Sequence, residues 1–135
     1  MGKSAFVAPV PYMHLNGALE ILETKAVALF GTEAFDFFQD VEVGAKVLIY
    51  RSHDEAEPLV SHQGIYKGYV GNMTEMRRLE HAGFRPPTTA GERWAMYWKC
   101  SDIQLLAEPI ALGDIQLASG KYMTTYPHGP LAIVS

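Results

Sequence analysis

Apolar and polar positions along the chain follow two rhythms. Lys46-Val47-Leu48-Ile49-Tyr50 is β-branched and aromatic, so it predicts a central strand behind a turn at Val43-Gly44-Ala45. From Trp94 to Lys99, the residues Trp94, Met96 and Trp98 alternate with Ala95, Tyr97 and Lys99, the period of two expected of a strand with one bulky face. Val60 to Val70 reads as a further strand, with Gly64 and Gly68 marking a bulge or a close backbone approach. Ile103 to Leu106 extends the sheet after a bend, Glu108 to Ile115 holds a connection, and Leu131 to Val134 forms a last strand behind the turn Pro127-His128-Gly129-Pro130. At the amino end Phe6 to Val10 is apolar but contains Pro9, which cannot donate to a ladder; this strand should lie at an edge or end early, and Pro11 closes it.

The second rhythm is helical. Leu15, Leu19, Leu22, Ala26 and Leu29 recur every three or four positions, which predicts one amphipathic helix with Asn16 as N-cap and Gly31 as its stop. Asn72-Met73-Thr74-Glu75 has the form of a capping box opening a short helix that runs to Ala82 and ends at Gly83. Thr32 to Asp40 fits either a short strand or one helical turn, and Pro86 to Gly91 is a loop. Five or six strands with two or three scattered helices describe an α+β fold built on a curled, mostly antiparallel sheet.

Composition narrows the class. The chain has 135 residues, 48% hydrophobic and 19% charged, which predicts a single domain over residues 1–135 with a real core and excludes wholesale disorder. Eleven Lys and Arg against fifteen Asp and Glu leave a net charge of −4, so binding to duplex DNA through a broad positive field is excluded. The longest apolar run at the amino end, Ala5 to Val10, is about a third of a membrane span, so no membrane association is expected and a cytoplasmic location is. Cys100, the single cysteine, allows no internal disulfide and no Cys-rich zinc site.

Few residues suggest chemistry. His14, His53, His62, His81 and His128 show no ligand spacing, so neither a metal nor a cofactor is expected. No nucleophile elbow singles out a serine, and the glycines form no phosphate-cradling loop between a strand and a helix. Lys99 beside Cys100 could lower a thiol pKa, but a lone Cys at a sheet end is more often a small buried hydrophobe. Aromatic residues carry more signal: Phe30, Tyr50, Trp94 and Trp98 lie on or beside strands, where each stacked base face is worth roughly 1–3 kcal/mol, although an aromatic on a strand is most often core. Arg77, Arg78, Arg85 and Arg93, with Lys67 near in sequence, form a locally basic stretch that either contacts phosphates or is a solvated face.

The order of these motifs resembles a known family. Val43 to Ser52 is similar to the "x-x-G-D-x-V-L-x-Y-x-S" strand of EVE domains, members of the PUA-like superfamily related to YTH and ASCH domains. Phe30-Gly31 stands where many relatives have Trp-Gly, and Gly64-Ile65-Tyr66-Lys67 resembles the strand that follows. Arg93 to Trp98 resembles the tryptophan-led strand, and Pro109 to Ile115 the "P-hydrophobic-x-L-x-x-hydrophobic" segment. Ala45 replaces the usual Asp, and Thr32 to Asp40 is acidic where many relatives are basic. The resemblance implies a PUA-like pseudo-barrel with short flanking helices, binding nucleic acid or a modified nucleobase. It further implies a pocket at Phe30, Gly31, Tyr50, Ser52 and Trp94, with Phe30 and Trp94 stacking and Ser52 bonding a base edge.

Two alternatives stand beside a non-enzymatic binding module. One is a small ASCH-like enzyme that hydrolyses modified nucleosides with a Lys, Thr and Glu set, for which Lys46, Lys67, Thr74, Glu75 and Glu92 exist without a spacing that assembles them. The other is an interaction protein, a homodimer using Phe35, Phe37 and Phe38 as its face.

Overall fold

The computed structural model describes residues 3–32, 34–52, 59–84, 96–123 and 129–134, with Tyr12, Phe35, Arg51 and Ser52 described by their backbone alone. The named elements are β1 (Lys3–Pro11), α1 (Tyr12–Leu22), β2 (Ala28–Thr32), α2 (Phe35–Phe38), β3 (Val41–Ser52), β4 (Leu59–Val70), α3 (Met73–His81), β5 (Met96–Ala111) and β6 (Leu131–Ala132), with a short 3-10 turn at Leu112–Asp114. Six strands form one sheet in the order β2-β5-β4-β3-β1-β6. Only the β1–β3 pair is parallel among the named neighbours. This is the expected α+β architecture.

Strand alternation divides the interior. Val47 and Ile49 of β3 join Phe6, Ala8, Phe30, Tyr66 and Trp98 in the main core on one face, where α1 contributes Leu15 and Ala18. Leu48 faces the other way, with Ala5, Val7 and Val60, and is covered by Leu112, Ile115, Met123 and Ile133. A third cluster seats Met76 and Leu79 of α3 on Leu29, Val70 and Tyr97. The helix itself begins as the sequence predicts, for the Asn72 side chain accepts a hydrogen bond from the Glu75 amide at 3.1 Å.

Three local readings change. The first helix starts at Tyr12, behind Pro11, and Asn16 lies within it, exposed. Ala28 to Thr32 is not its continuation but a strand pairing antiparallel with β5. Its residues bury alternately on two faces, Phe30 in the main core and Leu29 under α3, which a one-sided surface helix could not do. Gly44 does not end a turn; its φ of +97° makes a bulge inside β3, where the β1 register jumps from Lys3↔Val41 to Ala5↔Lys46.

The place of Pro9 follows from the register. The Ile133 amide donates to the Ala5 carbonyl at 3.2 Å, so Ala5 and, by strand alternation, Val7, Pro9 and Pro11 direct their backbone polar groups away from β3. β6 pairs only with Phe6 and Val7. Pro9 and Pro11 therefore fall where an N–H would meet no β6 strand, which is where a sheet tolerates proline.

One buried polar atom stands out. Tyr66 is 1% exposed, stacked on Phe38 with centroids 5.6 Å apart, and its hydroxyl has no hydrogen-bond partner among the described residues. Burying that group unpaired is costly. Tyr66→Phe is expected to leave the fold intact and raise stability by about 1 kcal/mol, read as a higher urea midpoint at neutral pH; a clear loss of stability would mean that the hydroxyl is bonded.

Candidate functional site

The strand order leaves β2 at one end of the curled sheet and β1 with β6 at the other. Between these ends lies a cavity of about 440 Å³, lined by Ala8 and Pro9 of β1, Gly31 and Thr32 of β2, Ala34, Trp98 of β5, and Gly129 and Pro130 just ahead of β6. It is an open seam in the sheet, within the size range of small-ligand pockets, roughly 300–1,000 Å³. Most of its walls are small residues, Trp98 supplies an aromatic surface, and none of these lining residues carries an ionisable side chain. Thr32 Oγ1 accepts from the Ala34 amide at 3.0 Å, fixing the turn at the rim and leaving its own O–H to donate.

Of the residues expected to form a pocket, the seam contains Gly31. Phe30 is 4% exposed and its ring centroid lies 4.8 Å from that of Trp98, too close to admit a third ring between them. Tyr50 is half-buried against the second core cluster, on the face opposite Phe30, so these two rings are not brought together. Ser52 ends β3, its side chain not described, while Trp94, Arg85 and Arg93 lie outside the described residues. Arg77 and Arg78 are exposed on α3. Arg78 Nε donates to Glu75 Oε2 at 2.9 Å, and this contact holds the Glu75 carboxyl below its ordinary value. Thr32 and Pro9 carry no signal for a pocket in the sequence, and Trp98, one of the four aromatic residues able to stack a base, is absent from the pocket that the family resemblance implies. Trp98 shows in the alternating run, but nothing local tells which side of the sheet it faces.

The other candidates are placed as follows. Cys100 is fully buried, and burial pushes its thiol up to about 12, the opposite of an activated nucleophile. Ser61 Oγ and His62 Nδ1 lie 2.7 Å apart, both buried, and neither lines the seam. No cluster of three or more His, Cys, Asp or Glu suited to a metal occurs among the described residues. Lys46 lines a separate recess of about 400 Å³ with Gln63, Asp102 and Gln104. Lys46, Lys67 and the pair Thr74–Glu75 sit on β3, β4 and α3 respectively, and Glu92 is outside the described residues. The phenylalanine face is corrected: Phe38 is 1% exposed within the main core and Phe37 packs against it, so these two rings are spent on the fold, and Phe35 is described by backbone alone. No helix among the described residues is long and apolar enough to cross a membrane.

The fold has counterparts among solved structures. It is similar to the crystal structure of ASCH from Zymomonas mobilis, with 13% identity, a TM-score of 0.60, and 97% of this chain and 88% of that one covered. A Pseudomonas putida protein is similar at 14% identity and a TM-score of 0.53, covering 81% of this chain and 74% of the other. No protein-family model and no curated protein matches the sequence. At such identities the likeness is one of fold, and it fits the expected α+β curled sheet with short helices.

Proposed function

We propose that this chain is a non-enzymatic, EVE-like recognition module that takes a single nucleobase, modified or not, from nucleic acid into the seam between β1 and β2. The observation that carries this reading is the seam itself: a cavity of about 440 Å³ with glycine and alanine walls, an indole surface and no ionisable side chain among the described residues that line it. A base is flat, uncharged and edged with hydrogen-bonding groups, so it suits such a lining, whereas a phosphate would be desolvated there without a counter-charge. Phosphates would stay outside, and the net charge of −4 adds no long-range attraction. Affinity should thus depend shallowly on salt. Withdrawing a base from its stack costs a few kcal/mol, least in single strands, so single-stranded targets are favoured.

The test uses fluorescently labelled single-stranded oligonucleotides carrying modified bases, with anisotropy as readout. Ala34 is half-exposed on the rim, against the edge of the main core, so Ala34→Trp places a bulky ring at the mouth. It is expected to weaken saturable binding at least tenfold while leaving the circular dichroism spectrum unchanged. Trp94→Ala is expected to abolish binding if Trp94 completes the stack. An oligonucleotide affinity unchanged by Ala34→Trp in a folded variant would remove the seam as the site.

A further inference from the structure

Resting on that reading of the seam, the geometry points to Pro9 as a specificity residue: the β1 wall presents a carbonyl acceptor with no amide donor beside it, and so selects bases whose facing edge carries an amino donor. The ladder supplies the argument. Because the Ala5 carbonyl accepts from Ile133 at 3.2 Å, Pro9, four residues on in the same regular stretch, turns its carbonyl toward the same side, away from β3. β6 stops at Val7, and Pro9 lines the cavity. In an ordinary edge strand that position would offer an N–H and a C=O side by side and would match donor and acceptor edges equally. Proline removes the N–H and leaves the acceptor. Pro130, across the mouth, likewise brings no amide donor to the lining.

A ligand that turns an acceptor to this wall sets two lone pairs against each other, whereas an exocyclic amine of adenine or cytosine donates to it. The amino group is therefore the feature this wall reads. Removing it leaves the wall carbonyl without that partner, and analogues that lack a hydrogen-bonding group the site was built for are rejected far more strongly than those that differ by a methylene.

Isothermal titration of the full chain with nucleosides tests this on the unmodified protein. Adenosine and cytidine are each paired with the analogue lacking only the amino group, purine riboside and pyrimidin-2-one riboside. In at least one pair the amino nucleoside should bind tenfold or more tightly. Pro9→Ala, which restores the N–H, should shrink the preference for adenosine over inosine at least threefold, with the circular dichroism unchanged; an unchanged ratio in the folded variant overturns the role of Pro9. Equal binding within both pairs overturns the inference while leaving base recognition standing. Absence of binding by any nucleoside, with oligonucleotide binding also absent, overturns both. The ligand series decides even if Pro9→Ala does not fold.

Discussion

Replacing Gly64 with alanine is expected to lower stability by about 1–3 kcal/mol, and with valine by more, because the site has no room for a side chain. A Cβ at this position would lie 2.6 Å from Cys100 Sγ, 3.1 Å from the Ser101 carbonyl oxygen and 3.2 Å from Ile103 Cγ1. The crowding comes from β5, not from β4. The pairing passes from Gln63↔Gln104 to Ile65↔Ser101, so β5 sets two residues, Asp102 and Ile103, opposite Gly64 and bulges toward it. Asp102, at the crest, has a φ of +52°, and Ser101 Oγ donates to its carboxylate at 3.0 Å. Two of the three close contacts involve side chains, so relief is possible. Cys100→Ala removes the nearest atom, and Gly64→Ala combined with Cys100→Ala should be less destabilised than the sum of the two single variants. Urea unfolding of the four proteins measures the coupling. Simple additivity would mean that the backbone contact at Ser101, rather than the thiol, sets the cost, and an unshifted midpoint for Gly64→Ala would mean that the bulge yields freely.

The same glycine shows how far a sequence can be read. Gly64 and Gly68 signal a bulge or close approach within β4, and both occur in a strand whose β5 partner shifts register there. Asn72 announces α3 because its capping bond is local. β3 is legible because it needs only its own alternation, Val47 and Ile49 one way and Leu48 the other. β2 is hidden because Leu22, Ala26 and Leu29 continue the helical spacing by coincidence, and only the burial of Ala28, Leu29 and Phe30 on two faces makes the segment a strand. The sixteen residues of β5 unite two runs that read as separate stretches of sheet, Trp94 to Lys99 and Ile103 to Leu106, and its end from Glu108 to Ala111 reads as a connection until β4 is seen to pair alongside. The seam was least accessible. Its lining comes from four stretches of chain far apart in sequence, and Pro9 acquires meaning only from how little of β1 the two residues of β6 cover. Residue type alone singles out the aromatic residues, and it does not tell that Phe30 packs against Trp98 with no room for a ligand ring between them.

Stability is expected to fall steeply above pH 9, and two buried groups account for the direction. Burial pushes the Cys100 thiol from its ordinary 9.0 up to about 12, with the Asp102 charge adding to the rise. Burial likewise raises the Tyr66 hydroxyl from 10.0 to about 12, with Tyr69 reinforcing it. In both cases the folded protein holds its proton more tightly than the unfolded chain. Their contribution is complete below the unfolded values and is lost as pH climbs toward 12, since the unfolded chain then binds fewer protons. At 1.36 kcal/mol per unit, about 4 kcal/mol is lost through Cys100 and about 3 kcal/mol through Tyr66 by the time the folded groups titrate. The two separate by onset. Between pH 9 and 10 the thiol of the unfolded chain ionises ahead of the phenol, so Cys100→Ala should flatten the decline there more than Tyr66→Phe, which should act mainly in the next interval. Urea midpoints at pH 8, 9, 10 and 11 for the three proteins give the slopes directly. If Cys100→Ala declines as steeply as the unsubstituted chain between pH 9 and 10, the thiol is not held neutral by the core, and the packing of Cys100 against Gly64 would have to be looser than the 2.6 Å approach implies. A flattened slope would tie the same sulfur to both results: the atom that forbids a side chain at position 64 is the one whose proton the fold retains.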